Sequence, residues 1–406
     1  MTTYTFAHLA DLHLGGYRES HLTNLNFITF QKAIDKILEK KVDFAIFAGD
    51  IFNNAMPPLD LVQQVTRQCL RLKKAGIPLY VIGGSHDYSN TQKSYIHLLN
   101  EVEVFKDVGT YENLGEGEVN LKFTEINKDI LISGIVGKKN GLDKNIYKNL
   151  TKQSLPEEKF KIFMFHTTLG DIKPDFMKMV KTEITSNYLP KGFDYYAGGH
   201  VHTHIQATYD NKPLSYPGPL FPNNFSELKR EHPSFNICTV DTATKKLDIK
   251  REFIQTIQIE HILYEANDEL PLEIQDSIMQ EIARKDIKGK IVLLEIKGIV
   301  NGNISDINLQ QIIKHSLQLG CDHVLKNTSK LSTKHLSVKQ VDQSSSIEEI
   351  EYQIISEVSP TKEEQEIFTN LLSLNLEKQE GEKNYQYEQR TKDAMKKTLQ
   401  FQKIEE

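Results

Sequence analysis

The sequence is poor in the features that mark secreted, membrane-spanning or wholly basic proteins. Three cysteines in 406 residues are too few for a disulfide framework, so we expect reduced thiols. Reduced thiols are typical of a cytoplasmic protein, here associated with the nucleoid, or of a nuclear protein if the source is eukaryotic. A strand pattern runs from Tyr4 to Ala10 with no basic flank, apolar core and cleavage site, so we expect no signal peptide. No apolar stretch approaches the ~18 residues of a membrane helix. The formal net charge of −6 argues against nucleic-acid binding by the whole surface but allows local binding sites.

Residues 1–257 alternate strand and helix patterns. The apolar runs from Phe44 to Ala48 and from Leu79 to Ile82 are typical of strands covered on both faces. Between them, a helix is predicted to start at Pro58 and to end at Gly76, because proline suits a first helical turn and glycine suits the residue after the last one. This pattern predicts a layered α/β sandwich with mixed sheets flanked by helices.

The pattern changes after residue 257, and two further regions are predicted. Residues 258–342 are expected to form a small α+β capping domain, with helices from Pro271 to Ile287 and from Ser305 to Leu319, and strands at Ile291–Ile296 and from His323. Residues 343–406 are expected to form a helical tail. Its apolar stripes run from Ile347 to Val358, from Ile367 to Leu372, and more weakly through Met395 and Leu399.

Five separated patches carry carboxylate or imidazole groups, and each follows an apolar run that is predicted to be a strand. Any one patch would be weak; all five together indicate a metal site. Such ligands suit two divalent ions such as Mn²⁺, with a phosphate oxygen as the substrate ligand. The patches are Asp11-Leu12-His13, Gly49-Asp50, Gly84-Ser85-His86-Asp87, His166 and Gly199-His200-Val201-His202.

The residue types within these patches suggest different roles. A carboxylate at Asp50 can bridge two ions and hold them about 3.5–4 Å apart. His86 is placed to touch the substrate, either orienting the phosphate or donating to the leaving oxygen. Asp87 either orients His86 or caps the next turn, and His166 at the end of a buried strand needs a partner such as a metal.

The order of these motifs resembles that of the calcineurin-like metallophosphoesterases, and more closely the SbcD nuclease family, whose eukaryotic member is meiotic recombination protein eleven. The resemblance covers most of the chain. It rests on the segments His8 to Gly15, Gly49 to Phe52, Gly198 to His202 and Ser215 to Gly218.

The resemblance implies two Mn²⁺ ions, with Mg²⁺ as an alternative, and cleavage of DNA at duplex ends, single strands and hairpins. In that family pattern one ion is bound by Asp11, His13, Asp50 and His202. The other is bound by Asp50, the residue at position 85, His166 and His200, and His86 faces the substrate. The implied partners are DNA, an SbcC-like coiled-coil zinc-hook ATPase gripped by the tail helices, and a second copy of the chain; no membrane partner is implied.

Two positions depart from the family pattern. Ser85 stands where the family usually has asparagine, and its shorter side chain implies weaker binding of the second ion. Asn53 stands where some members have a histidine that supports exonuclease action. Three readings therefore stay open: a DNA-end nuclease, a phosphodiesterase for small nucleotides, and a DNA-end-binding scaffold with an impaired second metal site.

Overall fold

A computed structural model describes residues 2–89, 94–115, 117–138, 142–151, 155–177, 182, 184–333, 374 and 382–398. The strands are β1 (Thr3–Leu9), β2 (Phe44–Ala48), β3 (Leu79–Ile82), β4 (Lys106–Asp107), β5 (Tyr111–Gly115), β6 (Glu118–Leu121), β7 (Thr124–Asn127), β8 (Ile130–Ile135), β9 (Phe160–His166), β10 (Tyr195–Gly199), β11 (Ile205–Tyr209), β12 (Lys212–Tyr216), β13 (Ser234–Asp241), β14 (Lys246–Phe253), β15 (Gln258–Glu269), β16 (Lys290–Val300) and β17 (His323–Thr333). The helices are α1 (Ser20–Glu39), α2 (Leu59–Lys74), α3 (Tyr95–Glu101), α4 (Lys144–Lys148), α5 (Phe225–Arg230), α6 (Pro271–Ala283), α7 (Leu309–Gln318) and α8 (Asn384–Thr398).

Two six-stranded mixed sheets form the centre of the fold. The first has the order β14-β13-β1-β2-β3-β4, and the second has the order β11-β12-β10-β9-β8-β7. Strands β1, β2 and β3 are parallel to one another, as are β8, β9, β10 and β12. Parallel strands end at the same edge of a sheet, so each sheet presents one edge of loops that follow strand carboxyl ends.

Three apolar layers explain why the strand sequences are almost continuously hydrophobic. One layer lies between the sheets and includes Phe6, Phe44, Ile46, Ile162 and Tyr195. A second layer covers the outer face of the first sheet with residues of α1, α2 and α3, and a third covers the outer face of the second sheet. Strand β2 therefore sends alternate side chains to two buried layers, as its unbroken apolar run predicts.

The predicted elements of the first 257 residues agree closely with the structure. Helix α2 begins after Pro58 and ends before Gly76, which has a positive φ of 76°. The predicted α/β sandwich with mixed sheets flanked by helices is therefore confirmed. Short strands such as β4 to β7, and the hairpin β11-β12, were not predicted because their residues show weak or broken alternation.

Beyond residue 257 the structure adds the three-stranded sheet β15-β16-β17 and helices α6, α7 and α8. Two predicted helices are shorter in the structure: α6 ends at Ala283 rather than Ile287, and α7 begins at Leu309 because residues Ile304–Asp306 form a 3₁₀ turn. The stripe residues Ile274, Ile278 and Ile282 are fully buried.

The described chain divides into two compact units. The first comprises residues 1–263, 282–295 and 313–327, and the second comprises 264–281, 296–312 and 328–406. The predicted domain boundaries at 257 and 342 stay predictions. The stripes at Ile347–Val358 and Ile367–Leu372 lie outside the described residues, as does Leu399. Among the residues described, none of the helices combines the length and apolar character needed to cross a bilayer.

Candidate metal centre

The strand ends of both sheets meet at one place and bring the predicted site residues together. Backbone hydrogen bonds tie the loop after β1 to the loop after β2, from Asp11 N to Gly49 O (3.1 Å) and from His13 N to Asp50 O (3.0 Å). The second sheet contributes His166, the last residue of β9, and His200, which directly follows β10. The His200 N–H donates to Asp11 Oδ1 (2.9 Å) and so links the two sheets.

Asp11, His13 and His202 form one group whose ligand atoms lie within 4.8 Å of one another. The Nε2 atoms of His13 and His202 are 3.0 Å apart, and His202 Nε2 is 3.9 Å from Asp11 Oδ1. Both Asp11 and His13 are buried. Buried carboxylate and imidazole groups at this spacing can serve as ligands of one divalent ion.

Asp50, His166 and His200 form a second such group, and Asp50 also belongs to a third with His13 and His86. Asp50 Oδ2 is 3.1 Å from His166 Nε2 and 3.5 Å from His13 Nε2. Asp50 thus lies between the two sets of imidazoles, the position that a bridging carboxylate requires. Its other oxygen accepts a hydrogen bond from the His86 backbone N–H at 2.8 Å.

The hydrogen bonds of the imidazoles test whether a cation fits here. Three Nδ1 atoms face oxygen acceptors: that of His166 faces Ala48 O (2.7 Å), that of His202 faces Glu227 Oε1 (2.9 Å) and that of His13 faces Asn53 Oδ1 (3.2 Å). When Nδ1 donates, the neutral ring has only a lone pair at Nε2. These Nε2 atoms converge on one another and on carboxylates. His166 Nε2 is buried 3.1 Å from Asp50 Oδ2, but no hydrogen bond of good geometry satisfies it among the described residues. Only a proton or a metal cation can make such a convergence favourable, so the residues present fit a metal centre.

The pKa values of the clustered residues also indicate that this place favours positive charge. Burial lowers the pKa of His166, but the charges of Asp50 and Asp11 outweigh burial and raise it to about 10. Burial also lowers the pKa of His202, but its hydrogen bond to Glu227 and the charge of Asp11 outweigh burial and raise the pKa to about 9. Burial raises the pKa of Asp11 to about 6 and, together with the nearby Asp50, that of Asp87 to about 7. The cluster therefore attracts positive charge, and a divalent ion competes with protons for the same nitrogen lone pairs.

The backbone at this edge is strained in a way that brings the side chains together. Asp11, His13, Asp50 and His200 all have positive φ, at 52°, 41°, 51° and 86°. For residues other than glycine this region costs about 1–3 kcal/mol each, and such strain clusters at functional sites. Gly199 also permits a close approach, because a Cβ there would lie 2.0 Å from Ala48 O.

The loop after β3 contributes His86, Ser85 and Asp87. His86 Nδ1 donates to Asn53 O (2.8 Å), and its ring packs edge-on against His13 with ring centroids 4.8 Å apart. Asp87 has a role that was not considered for it. Its carboxylate accepts from the N–H groups of Gly84 (2.8 Å), Phe52 (3.0 Å) and Ile51 (3.2 Å), which ties the β2 and β3 loops together. Ser85 is nearly buried beside His86, and its assignment as a ligand stays a prediction.

Two residues support the cluster through contacts that were not predicted from the sequence. Asn53 contacts His13 through its side chain and His86 through its carbonyl oxygen, so it orients both rings. Glu227, on helix α5, contacts His202. The spacing Asn224-x-x-Glu227 is that of an N-terminal capping pair, a signal that marks the helix but gives no hint that its carboxylate reaches a histidine 25 residues earlier.

Comparisons with known proteins agree with this geometry. The family model described as calcineurin-like phosphoesterase matches residues 4–204. A protein named DNA double-strand break repair protein Mre11 from Methanococcus maripaludis is 30% identical over 55% of this chain and 59% of its own length. The protein of the same name from Archaeoglobus fulgidus is 25% identical over 69% of this chain and 63% of its own length. A Bacillus subtilis protein named uncharacterized metallophosphoesterase YhaO is 28% identical over 54% of this chain and 53% of its own length. In these matches the chain spans less than two thirds of each relative.

Proposed function

On the premise that residues 4–204 of this chain belong to the calcineurin-like phosphoesterases, we propose that the protein is a Mn²⁺-dependent DNA nuclease. It cleaves duplex ends as an exonuclease and single strands or hairpins as an endonuclease, in the repair of double-strand breaks. The observation that carries the proposal is the convergence of His13, Asp50, His166 and His202 on shared space with their Nε2 and carboxylate lone pairs facing inward.

In this proposal the two ions have separate ligand sets that share one carboxylate. Asp11, His13, Asp50 and His202 would hold the first ion, and Asp50, Ser85, His166 and His200 would hold the second. Two bound divalent ions supply Lewis acidity toward the phosphate and toward an attacking water. The spacing of the two histidine groups around Asp50 supports this division.

His86 is the residue that we assign to the substrate. Its Nδ1–H is held by Asn53 O, which leaves Nε2 to contact the phosphate or the leaving oxygen. The backbone N–H of His86 donates to Asp50, so the position of the substrate-facing residue is fixed relative to the shared carboxylate. With Nδ1–H held by Asn53 O, Nε2 can donate to the leaving oxygen only when the ring carries both protons, and in that form it would stabilise the charge that develops there.

DNA is favoured as the substrate by the Mre11 names of relatives that match more than half of this chain. A phosphodiesterase for small nucleotides has no need of the residues beyond 257. The hypothesis of a DNA-end-binding scaffold with an impaired second metal site is supported by Ser85. A nuclease that acts on chromosomal DNA is expected in the cytoplasm or, for a eukaryotic source, in the nucleus.

We further propose that the protein forms a homodimer through helices of its first region. Leu98 and Val102 are one helical turn apart at α3 and are 54% and 59% exposed, and Leu59 at the start of α2 is 73% exposed. Contiguous exposed apolar patches are typical of interaction surfaces, and in this proposal Leu98 and Val102 form part of such a patch. Leu98→Glu should convert a dimer to a monomer in light scattering; a dimer that persists contradicts this surface.

The proposed second partner is an SbcC-like coiled-coil ATPase that binds the C-terminal region. The candidate contacts are the apolar stripes at Ile347–Val358 and Ile367–Leu372, because an amphipathic helix can dock in a hydrophobic groove. Helix α8, which exposes Tyr385 and Met395, is the weaker candidate. Deleting residues 343–406 should abolish binding to such an ATPase and leave manganese binding intact.

The test of the central proposal is cleavage of labelled DNA. The wild-type protein should cut a hairpin or an overhang in Mn²⁺ and stop on addition of a chelator, while a cyclic nucleotide is left intact. Asp50→Asn should abolish cleavage, and Glu252→Gln, in an ion pair with Lys36 of helix α1, should not. Preferred cleavage of the cyclic nucleotide would favour the small-substrate reading. Binding of DNA ends without cleavage at saturating Mn²⁺ would favour the scaffold.

A further inference from the structure

We infer that Glu227 is a positioning residue for His202, and that helix α5 links this metal ligand to strand β16. The inference rests on the metal centre of the proposed function. It concerns residues outside the predicted ligand set and names the element that would control one of the two ions.

The Glu227 carboxylate is fixed before it meets the histidine. It is buried at 6% exposure, and its Oε2 accepts from the Asn223 N–H at 2.7 Å. Its Oε1 accepts from Asn224 Nδ2 at 2.6 Å and from His202 Nδ1 at 2.9 Å. A carboxylate held by two donors has little freedom to turn, so the hydrogen bond to His202 fixes the plane of that imidazole.

This bond determines which nitrogen of His202 is available to an ion. A negative carboxylate at Nδ1 keeps a proton there and leaves the lone pair at Nε2, which faces His13 Nε2 and Asp11. Carboxylate–histidine–metal arrangements of this type raise the basicity of the ligand and hold its orientation. Glu227 therefore acts through His202 and not on the substrate.

A second carboxylate, that of Glu231 directly after the end of α5, holds the next residue of the loop. Glu231 accepts a hydrogen bond from the Thr203 hydroxyl, and its other oxygen is 2.8 Å from Arg251 Nη2. The Glu231 N–H donates to Glu227 O at 2.7 Å. Two adjacent loop residues are thus bound by carboxylates one helical turn apart, so the loop and α5 form one mechanical unit.

Between these two carboxylates, Lys229 ties the helix to β16. Its Nζ is 2.5 Å from Glu295 Oε2, and the same oxygen is 3.0 Å from His261 Nε2. Glu295 is 7% exposed, so a displacement of β16 that α5 did not follow would take the Lys229 ammonium away from a buried carboxylate and leave it with His261 alone among these two partners. A shift of this strand would therefore be transmitted through α5 to the orientation of His202, and the affinity of one ion would change with it.

The test measures manganese directly, by calorimetric titration and by electron paramagnetic resonance of the full chain. Glu227→Gln removes the charge and keeps the shape of the side chain. We expect the ion held by His202 to bind about 10- to 100-fold more weakly, as is typical for loss of a carboxylate behind a metal-bound histidine, and the other ion to bind as before. At limiting Mn²⁺ the exchange-coupled spectrum of an ion pair should give way to that of single ions.

Two further variants complete the experiment. Lys229→Met should weaken the same ion in the same direction and by less, because the helix keeps its bonds to the loop. Glu252→Gln, in the ion pairs of β14 with Lys36 and Lys40, should leave both ions unchanged. Urea unfolding in chelator reports any general loss of stability for all three variants.

Wild-type affinity for both ions in Glu227→Gln, or an equal loss at both, would overturn the positioning role. Unchanged affinity in Lys229→Met would overturn the link to β16. If the wild-type protein binds two ions and cuts no DNA, the nuclease proposal fails and this inference stands on the binding data. If it binds no manganese, both fail together.

Discussion

Replacing Gly49 with alanine should damage the metal centre far more than an equivalent change elsewhere. Gly49 has a φ of 92°, and a Cβ at this position would lie 2.2 Å from His166 Nδ1. Gly76 offers a matched control, because its φ is 76° and a Cβ there would have no atom within 4 Å. Both changes force alanine into a left-handed conformation, and only one of them collides with a site residue.

The two variants should lose different amounts of stability, because only the alanine at position 49 collides with a neighbouring side chain. A left-handed alanine costs about 1–2 kcal/mol, which is the whole cost at Gly76. At Gly49 an overpacked interior adds about 1–3 kcal/mol. Moving His166 also breaks its hydrogen bond to Ala48 O, for about another 0.5–1.5 kcal/mol. We therefore expect Gly49→Ala to lower the free energy of unfolding by about 2.5–6.5 kcal/mol.

Urea unfolding of both variants in chelator measures the stability difference, and calorimetric titration measures manganese binding. Gly49→Ala should lose about 10- to 100-fold in affinity, because His166 is displaced from the acceptor that orients it, and Gly76→Ala should bind as the wild type does. Equal destabilisation of the two variants would refute the packing argument. Normal manganese affinity in a folded Gly49→Ala protein would refute the role of His166 as a ligand.

Three other predictions concern residues inside and outside the site. Ser85→Asn should increase the affinity of the second manganese ion and the rate of DNA cleavage, since an amide reaches further than a hydroxyl; an unchanged titration would contradict the view that Ser85 impairs the site. Asp194→Asn should lower the free energy of unfolding by about 3–5 kcal/mol, because the buried Lys161, 3.1 Å away, loses its partner. Adding Lys161→Met should recover part of this loss in the same urea titration, and no recovery would contradict the ion-pair explanation. Burial raises the pKa of Cys69 to about 12 and raises that of Cys238 and Cys321 as well, so a thiol reagent should react slowly with the folded protein and fully with the unfolded one; rapid reaction before unfolding would contradict their burial.

The sequence was sufficient for the parts of the fold that have strong periodic patterns. Strand β2 and helix α2 carry their own boundaries, in an unbroken apolar run and in Pro58 and Gly76, so local chemistry determines them. Helix α6 was predicted four residues too long because the apolar spacing continues to Ile287, while the helix ends at Ala283. Apolar periodicity records which side is buried and does not by itself record where the hydrogen bonding stops.

In the candidate site, too, some features could be predicted from the sequence and others could not. The patches could be found because chemically unusual residues follow apolar strands, and the structure brings those strand ends together. The contacts of Glu227 and Asn53 could not be found, because each depends on how two distant loops meet in three dimensions. Asp87 shows the limit well: its neighbours in sequence suggested a local role, yet it accepts from N–H groups of Ile51 and Phe52, more than thirty positions earlier.

The location of the cluster at the junction of two sheets has a consequence for folding. Its imidazoles and carboxylates come from both halves of the sandwich, and hydrogen bonds such as those from His166 to Ala48 and from His200 to Asp11 cross between the halves at this place. Cations shared across that seam would fasten the halves to each other, and each would add about 2.7 kcal/mol of stability at a concentration one hundred times its dissociation constant. The chemistry of the centre and the cohesion of the sandwich would then depend on the same supply of metal.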